Sequence, residues 1–355
     1  MKRLLIVFAI VTGMLASCTN QDIEFPDYDY TTGYFTYQYP VRTLLLGNDI
    51  LYDNSNDNAH MFIVSVAMGG VYRNTKDRTL SFRVDNSLCD NALFKSSGEL
   101  LKPLPDNYYT LSPDDRIVIQ SGNVNGGVEV HLTDAFFNDP EAVGLTYVLP
   151  LRLTGSNDLD SLLRGSSLLS NPDPRISGEW SITPKDFTIA AVRFRNAYDG
   201  TFLHRGQTVT SGAVQSTVSY RKQYVENDDQ RVVSTTGKSQ VSLSVPVRVA
   251  GLTGTVGLQL NFPDGIGTAD CSITGTATFT DADRNEYTAA ISGNGRFVNG
   301  GEPGNSEEWG GKKRDALFLS YRFTDAVNNI TGSSTDTLVL RDRSRSFETF
   351  EIAFP

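Results

Sequence analysis

The residues best placed for chemistry lie in one stretch, 293–313, where Glu307 and Glu308 precede Trp309 among seven glycines and the amides Asn294, Asn299 and Asn305. Hydrolysis of a glycosidic bond takes two carboxylates at a fixed separation, one of them with a raised pKa. Adjacent residues of an extended segment point to opposite faces, so Glu307 and Glu308 do not form that pair. Binding a sugar asks for less: an aromatic face for the C–H side of the ring, and amides or carboxylates for its hydroxyls. Trp309 with Asn305, Glu307 and Glu308 is therefore the candidate binding site, and a Trp folded back to close its own loop is the equal alternative.

Other constellations point away from catalysis. Asn48 to Asn58 is rich in Asp and Asn oxygens but lacks EF-hand spacing, so turn formation is the better reading. Asp281 to Glu286 imitates the start of a calcium loop without its glycine, and a hairpin turn is the default there. His60, His131 and His204 are scattered, and no Gly-x-Ser-x-Gly elbow, phosphate loop or zinc-type spacing occurs. No metal, no cofactor and no enzymatic activity are expected. Cys89 and Cys271, nearly 200 residues apart, fit two buried thiols better than a bridge.

The N-terminus carries an address. Lys2 and Arg3 lead an apolar run, Leu4 to Leu15, too short to span a bilayer, which ends in Leu15-Ala16-Ser17-Cys18. The pattern resembles the lipobox of bacterial lipoproteins, which makes 1–17 a cleaved signal and Cys18 the acylated first residue. Membrane contact is then expected through the lipid alone. Residues 18–32 read as an acidic tether, whose acidic residues resemble the surface-export signal of Bacteroidetes lipoproteins.

Loss of the signal with Lys2 and Arg3 takes the formal charge from −10 to −12. A chain of that sign lacks the positive footprint of a nucleic-acid binder and favours a neutral ligand or a protein partner. The remaining length suits two domains.

The pattern between 33 and 154 is β. Met61 to Met68 is a nearly continuous apolar run suited to a central strand, while Leu80, Phe82 and Val84 alternate with polar residues and bury one face. Further strands are expected at Phe35 to Tyr39, Arg42 to Leu46, Arg116 to Gln120, Val128 to Leu132 and Tyr147 to Leu153, with one helical turn at Thr133 to Asn138. About seven short strands in roughly 120 residues predict an immunoglobulin-like sandwich. Residues 155–178, rich in Ser, Asn, Gly and Pro, read as an exposed linker. From 179 to 355 the strands resume, beginning with Thr188 to Phe194 and ending with Phe347 to Ile352, in a unit of the size at which a sheet closes into a barrel. The tyrosines at 28, 30, 34, 37 and 39 either line a surface or serve as sheet residues.

Tyr52–Asn58, Met68–Asn74, Pro105–Ser112 and Tyr147–Leu151 together resemble the N-terminal immunoglobulin-like domain of unknown function in Bacteroidetes surface lipoproteins. Trp180–Phe187, Arg195–Phe202 with Arg205-Gly206, and Asp336–Arg341 look like the lipocalin-like second domain of the same proteins. Trp180 resembles the Trp that plugs one end of a lipocalin barrel, which implies a core role. The resemblance covers both domains and implies an all-β accessory protein of the outer membrane, lipid-anchored at the cell surface. Such a protein holds glycan near a sugar-importer complex in polysaccharide utilisation; the alternative is a structural or adhesive lipoprotein with a protein partner. The family supplies no ligand motif to carry over.

Overall fold

The computed structural model describes residues 27–355 except 29, 250, 251, 264, 281–283, 285 and 327. The signal 1–17, Cys18 and most of Asp281 to Glu286 lie outside the described residues. The fold is all-β, a two-sheet sandwich followed by a closed antiparallel barrel.

One sandwich sheet runs β11 (Ser161–Leu162), β1 (Thr32–Phe35), β3 (Met61–Gly69), β9 (Asn125–Leu132), β7 (Tyr109–Ser112). The apolar run at 61–68 is thus a central strand, as its composition predicts, with Phe62, Val64, Val66 and Met68 turned to the core. The facing sheet runs β24 (Glu348–Thr349), β2 (Pro40–Leu45), β12 (Phe187–Arg195), β10 (Tyr147–Ser156), β4 (Arg78–Val84), β8 (Arg116–Ile119), with β6 (Lys102–Pro103) beside β10. Leu80, Phe82, Leu149, Leu151, Leu153, Val192 and Phe194 meet the first sheet in one core. Burying each such side chain contributes about 1.5–3 kcal/mol.

The second sheet is also covered on part of its outer face. Val148, Phe187, Ile189 and Ala191 pack under Leu88, Cys89, Phe94, Leu101 and Phe350. A two-stranded piece, β5 (Leu93–Phe94) with β25 (Ile352–Ala353), ties this cover together. Burial on both faces explains why β10 and β12 are apolar without alternation.

The barrel comprises β13 (Gly200–Gly212), β15 (Asp229–Gly237), β16 (Gln240–Val249), β17 (Leu252–Asn261), β18 (Ala269–Thr280), β19 (Glu286–Val298), β22 (Ala316–Asp325) and β23 (Ile330–Asp342), and β23 closes back onto β13. A hairpin partner, β14 (Ser216–Tyr220), flanks the distal half of β13, and β20 (Glu308–Trp309) pairs with β21 (Lys312–Lys313) in a loop outside the barrel. Closure removes exposed edges, and alternate residues such as Leu317, Leu319, Tyr321 and Phe323 fill the interior.

Four expectations change. The strand at 188–194 belongs to the sandwich rather than the barrel: β12 lies antiparallel to β10 and parallel to β2, so the barrel starts at Gly200 rather than 179. The strands at 348–353 likewise return to the sandwich, where they pair with β2 and β5. Residues 155–178 are not a free linker, because Ser156 still belongs to β10, Leu159 is buried in the sandwich core and β11 pairs with β1. The tether ends early: the Asp27 carboxylate accepts from the Tyr72 amide, and the Tyr28 amide donates to the Gly70 carbonyl. These apolar segments are shared between units, and a hydrophobic pattern does not say which sheet a strand joins.

Candidate functional site

The predicted site at 305–309 is one compact loop, and its polar groups serve the loop itself. Asn305 is buried, and its Nδ2 donates to the Val298, Asn299 and Arg314 carbonyls at 2.9, 3.2 and 2.8 Å, while its Oδ1 accepts from the Glu307 amide. Glu307 is held by its backbone, the carbonyl accepting from the Arg314 amide at 3.0 Å. Glu308 pairs with Lys313 at 2.9 Å across the β20–β21 turn. Trp309 is half-buried; the Arg314 guanidinium lies 4.0 Å from its ring centre, and its Nε1 faces the Leu340 carbonyl at 3.4 Å. The structure thus brings all four residues together, with the indole face occupied from within.

Trp180 does not plug the barrel. It stands half-buried just before β12, its Nε1 donating to the Asp173 carbonyl at 2.7 Å. Asp173 in turn holds Arg175, which reaches the Leu88 and Asp90 carbonyls and so fastens residues 173–180 to the sandwich. Arg175, above all by its hydrogen bonds to the Asp173 carboxylate, holds that acid below the usual carboxylate range.

The other candidates resolve into local structure. Asp49 Oδ1 accepts from the Leu51 and Tyr52 amides, Asp53 from Ser55, and Asn54 and Asn58 both donate to the Gly47 carbonyl, so this stretch forms the turns its composition predicts. Cys89 and Cys271 are separate, buried and free, each thiol pushed up to about 12 chiefly by burial. His204 is buried inside the barrel with Asp336, whose carboxylate accepts from the Tyr220 and Tyr321 hydroxyls; burial first, then Asp336, pushes both phenols up. His204 Nε2 lies 3.2 Å from Asp336 Oδ2 without hydrogen-bond geometry.

A concave surface forms where sandwich and barrel join, a groove of about 520 Å³, within the usual range for small-ligand sites. Its floor is β2 and β12. Val192 and Phe194 point into the sandwich core, so Arg193 and Arg195 must point the other way, beyond the end of the outer cover. Its far wall is the segment that leaves the barrel, Arg343 to Glu348, and Tyr52 lines it as well. Five arginines thus face one cavity: Arg42, Arg193, Arg195, Arg343 and Arg345.

Each guanidinium is fixed. Arg42 pairs with buried Asp57, and Arg193 donates to Thr43 Oγ1 at 2.9 Å and to Glu348 at 2.7 Å. Arg195 donates to the Val143 carbonyl at 3.0 Å. Arg343, only 6 % exposed, spans the seam: it donates to the Asn48 and Asp199 carbonyls and lies 3.3 Å from Asp315. Burial pushes the Asp315 carboxyl up, against the Gly300 amide and Arg343. Arg345 donates to the Asp53 carbonyl at 3.2 Å, with its guanidinium 5.7 Å from the Tyr52 ring centre.

Aromatic surface adjoins the groove. Phe347 and Tyr37, 64 % and 51 % exposed, lie with ring centres 4.6 Å apart and planes tilted by 47°. Phe347 lines this groove and Tyr37 lines a second cavity of about 490 Å³ with Tyr39 and Arg175, so the ring pair joins the two. Sequence reasoning named Tyr37 but missed the arginines and Phe347. A signal existed, because Arg341, Arg343 and Arg345 alternate, as do Arg193 and Arg195, in a chain of net charge −10.

Fold and site define a two-domain all-β protein, a sandwich that carries a closed barrel with an arginine-lined groove at their junction. The chain belongs to the same family as a Bacteroides ovatus structural-genomics protein of unknown function, solved at 2.40 Å: the two are 35% identical, with 92% of this chain and 100% of that one covered and a TM-score of 0.80. Residues 197–344 match a domain of unknown function, DUF5627, and residues 28–160 match a model for an N-terminal domain. These bounds place residues 161–196 in neither match. A second Bacteroides ovatus structure, at 1.50 Å and provisionally described as carbohydrate binding, is 12% identical over 91% of this chain and 97% of that one, with a TM-score of 0.26. No curated protein matches the sequence.

Proposed function

We propose that this protein is a non-catalytic glycan-binding protein, held at the outer membrane through acylated Cys18 and serving the capture of polysaccharide for an importer. The observation that carries the reading is the exposed Phe347–Tyr37 pair between two cavities. Two large rings left in water at that position offer the C–H faces of a sugar chain a platform, and the flanking arginines offer its hydroxyls donors. This reading places the ligand at the junction groove rather than at the Trp309 loop, where the Arg314 guanidinium already lies over the half-buried ring. A glycan array probed with the soluble chain from residue 19 tests it. Binding is expected for the parent and loss of at least about tenfold for Tyr37→Ala with Phe347→Ala, since stacked aromatic anchors carry most of such contacts. An array without hits removes the reading.

One observation favours a protein partner instead. Leu168, Leu169 and Ile182 are 102 %, 55 % and 63 % exposed in two segments joined by an isolated bridge between Ser166 and Ile182, exposed apolar residues of the kind found at interfaces.

A further inference from the structure

The charge balance of the junction groove says what kind of sugar it suits. Four of its five guanidiniums have a carboxylate within ion-pair distance: Arg42 with Asp57, Arg193 with Glu348, Arg343 with Asp315 and, most loosely at 3.9 Å, Arg195 with Asp199. Arg345 and Arg195 make their hydrogen bonds to backbone carbonyls instead. Arg345 donates to a backbone carbonyl, that of Asp53, and has no carboxylate within ion-pair distance among the described residues. Arg195 donates to the Val143 carbonyl, and the nearest carboxylate oxygen, Asp199 Oδ2 at 3.9 Å, already accepts from the Thr235 amide and hydroxyl at 2.7 and 2.8 Å. A carbonyl satisfies a donor but cancels no charge, so Arg345 keeps a positive charge that no carboxylate pairs, and Arg195 one that Asp199 offsets only at 3.9 Å, in a cavity whose walls exclude part of the water. Burial lowers the proton affinity of Arg195 despite Asp199, the sign of a charge short of solvation. Arg42 Nε, on the floor of the groove, is a buried donor without a partner.

We infer that the groove takes an anionic sugar, whose ring bears a carboxylate or a sulfate ester, with Arg195 and Arg345 meeting the charge; this deepens the glycan reading above and rests on it. A guanidinium presents a planar fork that matches either group with two parallel hydrogen bonds. Tyr52 beneath Arg345 limits its motion and so reduces the ordering cost of binding. The overall negative charge repels long polyanions such as duplex nucleic acid, while a single anionic ring fits a local positive site of this volume.

The test is an array of neutral, uronate-bearing and sulfated oligosaccharides, probed at low and at 0.5 M salt with the parent, Arg345→Ala, Arg195→Gln, Arg345→Lys and, as a distant control, Arg116→Ala. The expected hits are acidic and weaken with salt, because part of the attraction is screened. Arg345→Ala and Arg195→Gln should each lose at least about tenfold, in keeping with hydrogen bonds to a charged group. Arg345→Lys should recover part of that loss, and Arg116→Ala should match the parent. Thermal unfolding of each variant separates lost binding from lost fold. Hits confined to uronates or to sulfates identify the anion. Hits on neutral glycans alone, or acidic hits that both arginine variants retain in full, overturn this inference while the glycan reading stands. No hits of any kind overturn both.

Discussion

Asn305 shows how a single side chain decides between site and scaffold. Its amide donates to three carbonyls, those of Val298, Asn299 and Arg314, so Asn305→Ala is expected to cost about 1–3 kcal/mol, read by thermal unfolding, with glycan affinity unchanged. Trp309→Ala should likewise lower stability, by about 1–2 kcal/mol, through loss of the Arg314 contact and of packing, and should leave binding intact. A loss of affinity with no change in melting temperature would return the site to this loop. The sequence showed that a glycine-rich loop holds an aromatic and amides; it could not show that Arg314, five residues on, covers the ring. Asp186 offers a test by pH. Burial pushes its carboxyl above the usual range, against the nearby Arg152 and Arg164. Folding then favours its protonated form, so its contribution is fully present below the unfolded value near about 4 and is lost as pH rises through the raised value. Asp186→Asn is therefore expected to gain stability over the parent from the weakly acidic range to neutrality, and the difference should vanish below about pH 4 in urea titrations at each pH.

At the scale of elements, periodicity located most strands but not their partners. The alternation at 80–84 and the apolar run at 61–68 face the core as their patterns predict, and the helical turn falls at Asp134–Phe137, within the predicted span. Strand β12 was legible as a strand, yet its membership of the sandwich depends on pairing with β2, some 150 residues earlier, which no local pattern encodes. The same holds for residues 348–353, whose Phe350 seals the outer cover beside Phe94 and Tyr39, with ring centres 5.1 and 5.7 Å away. Truncation after Asp342 is accordingly expected to destabilise the sandwich and leave the barrel folded. Two calorimetric transitions, with the sandwich transition lowered, would confirm it; an unchanged melting profile would show that β24 and β25 contribute nothing.

At the scale of the whole molecule, the class of fold was legible and the boundary was not. Residues 197–344, the extent of the matched domain, hold every barrel strand and should fold when expressed alone. A fragment beginning at 179 carries β12 without its neighbours β2 and β10, exposing Phe187, Ile189, Val192 and Phe194, and should aggregate. Equal solubility of the two fragments would restore the earlier boundary. Attachment is tested by Cys18→Ala, which should move the protein from the membrane to the soluble fraction. The path of the chain also fixes an order of events. Residues 348–353 complete a sheet begun at Pro40, and the entire barrel is made between the two. A ribosome, or a translocon passing an unfolded chain, therefore delivers a finished barrel before it delivers the means to finish the first domain. Until then the outer face of β12 and the apolar ends of its sheet stand open, and the groove lacks its far wall. A pause or premature stop in that interval would leave a barrel that looks native beside a sandwich exposed to chaperones and proteases, so full-length synthesis is itself a condition for assembling the junction groove.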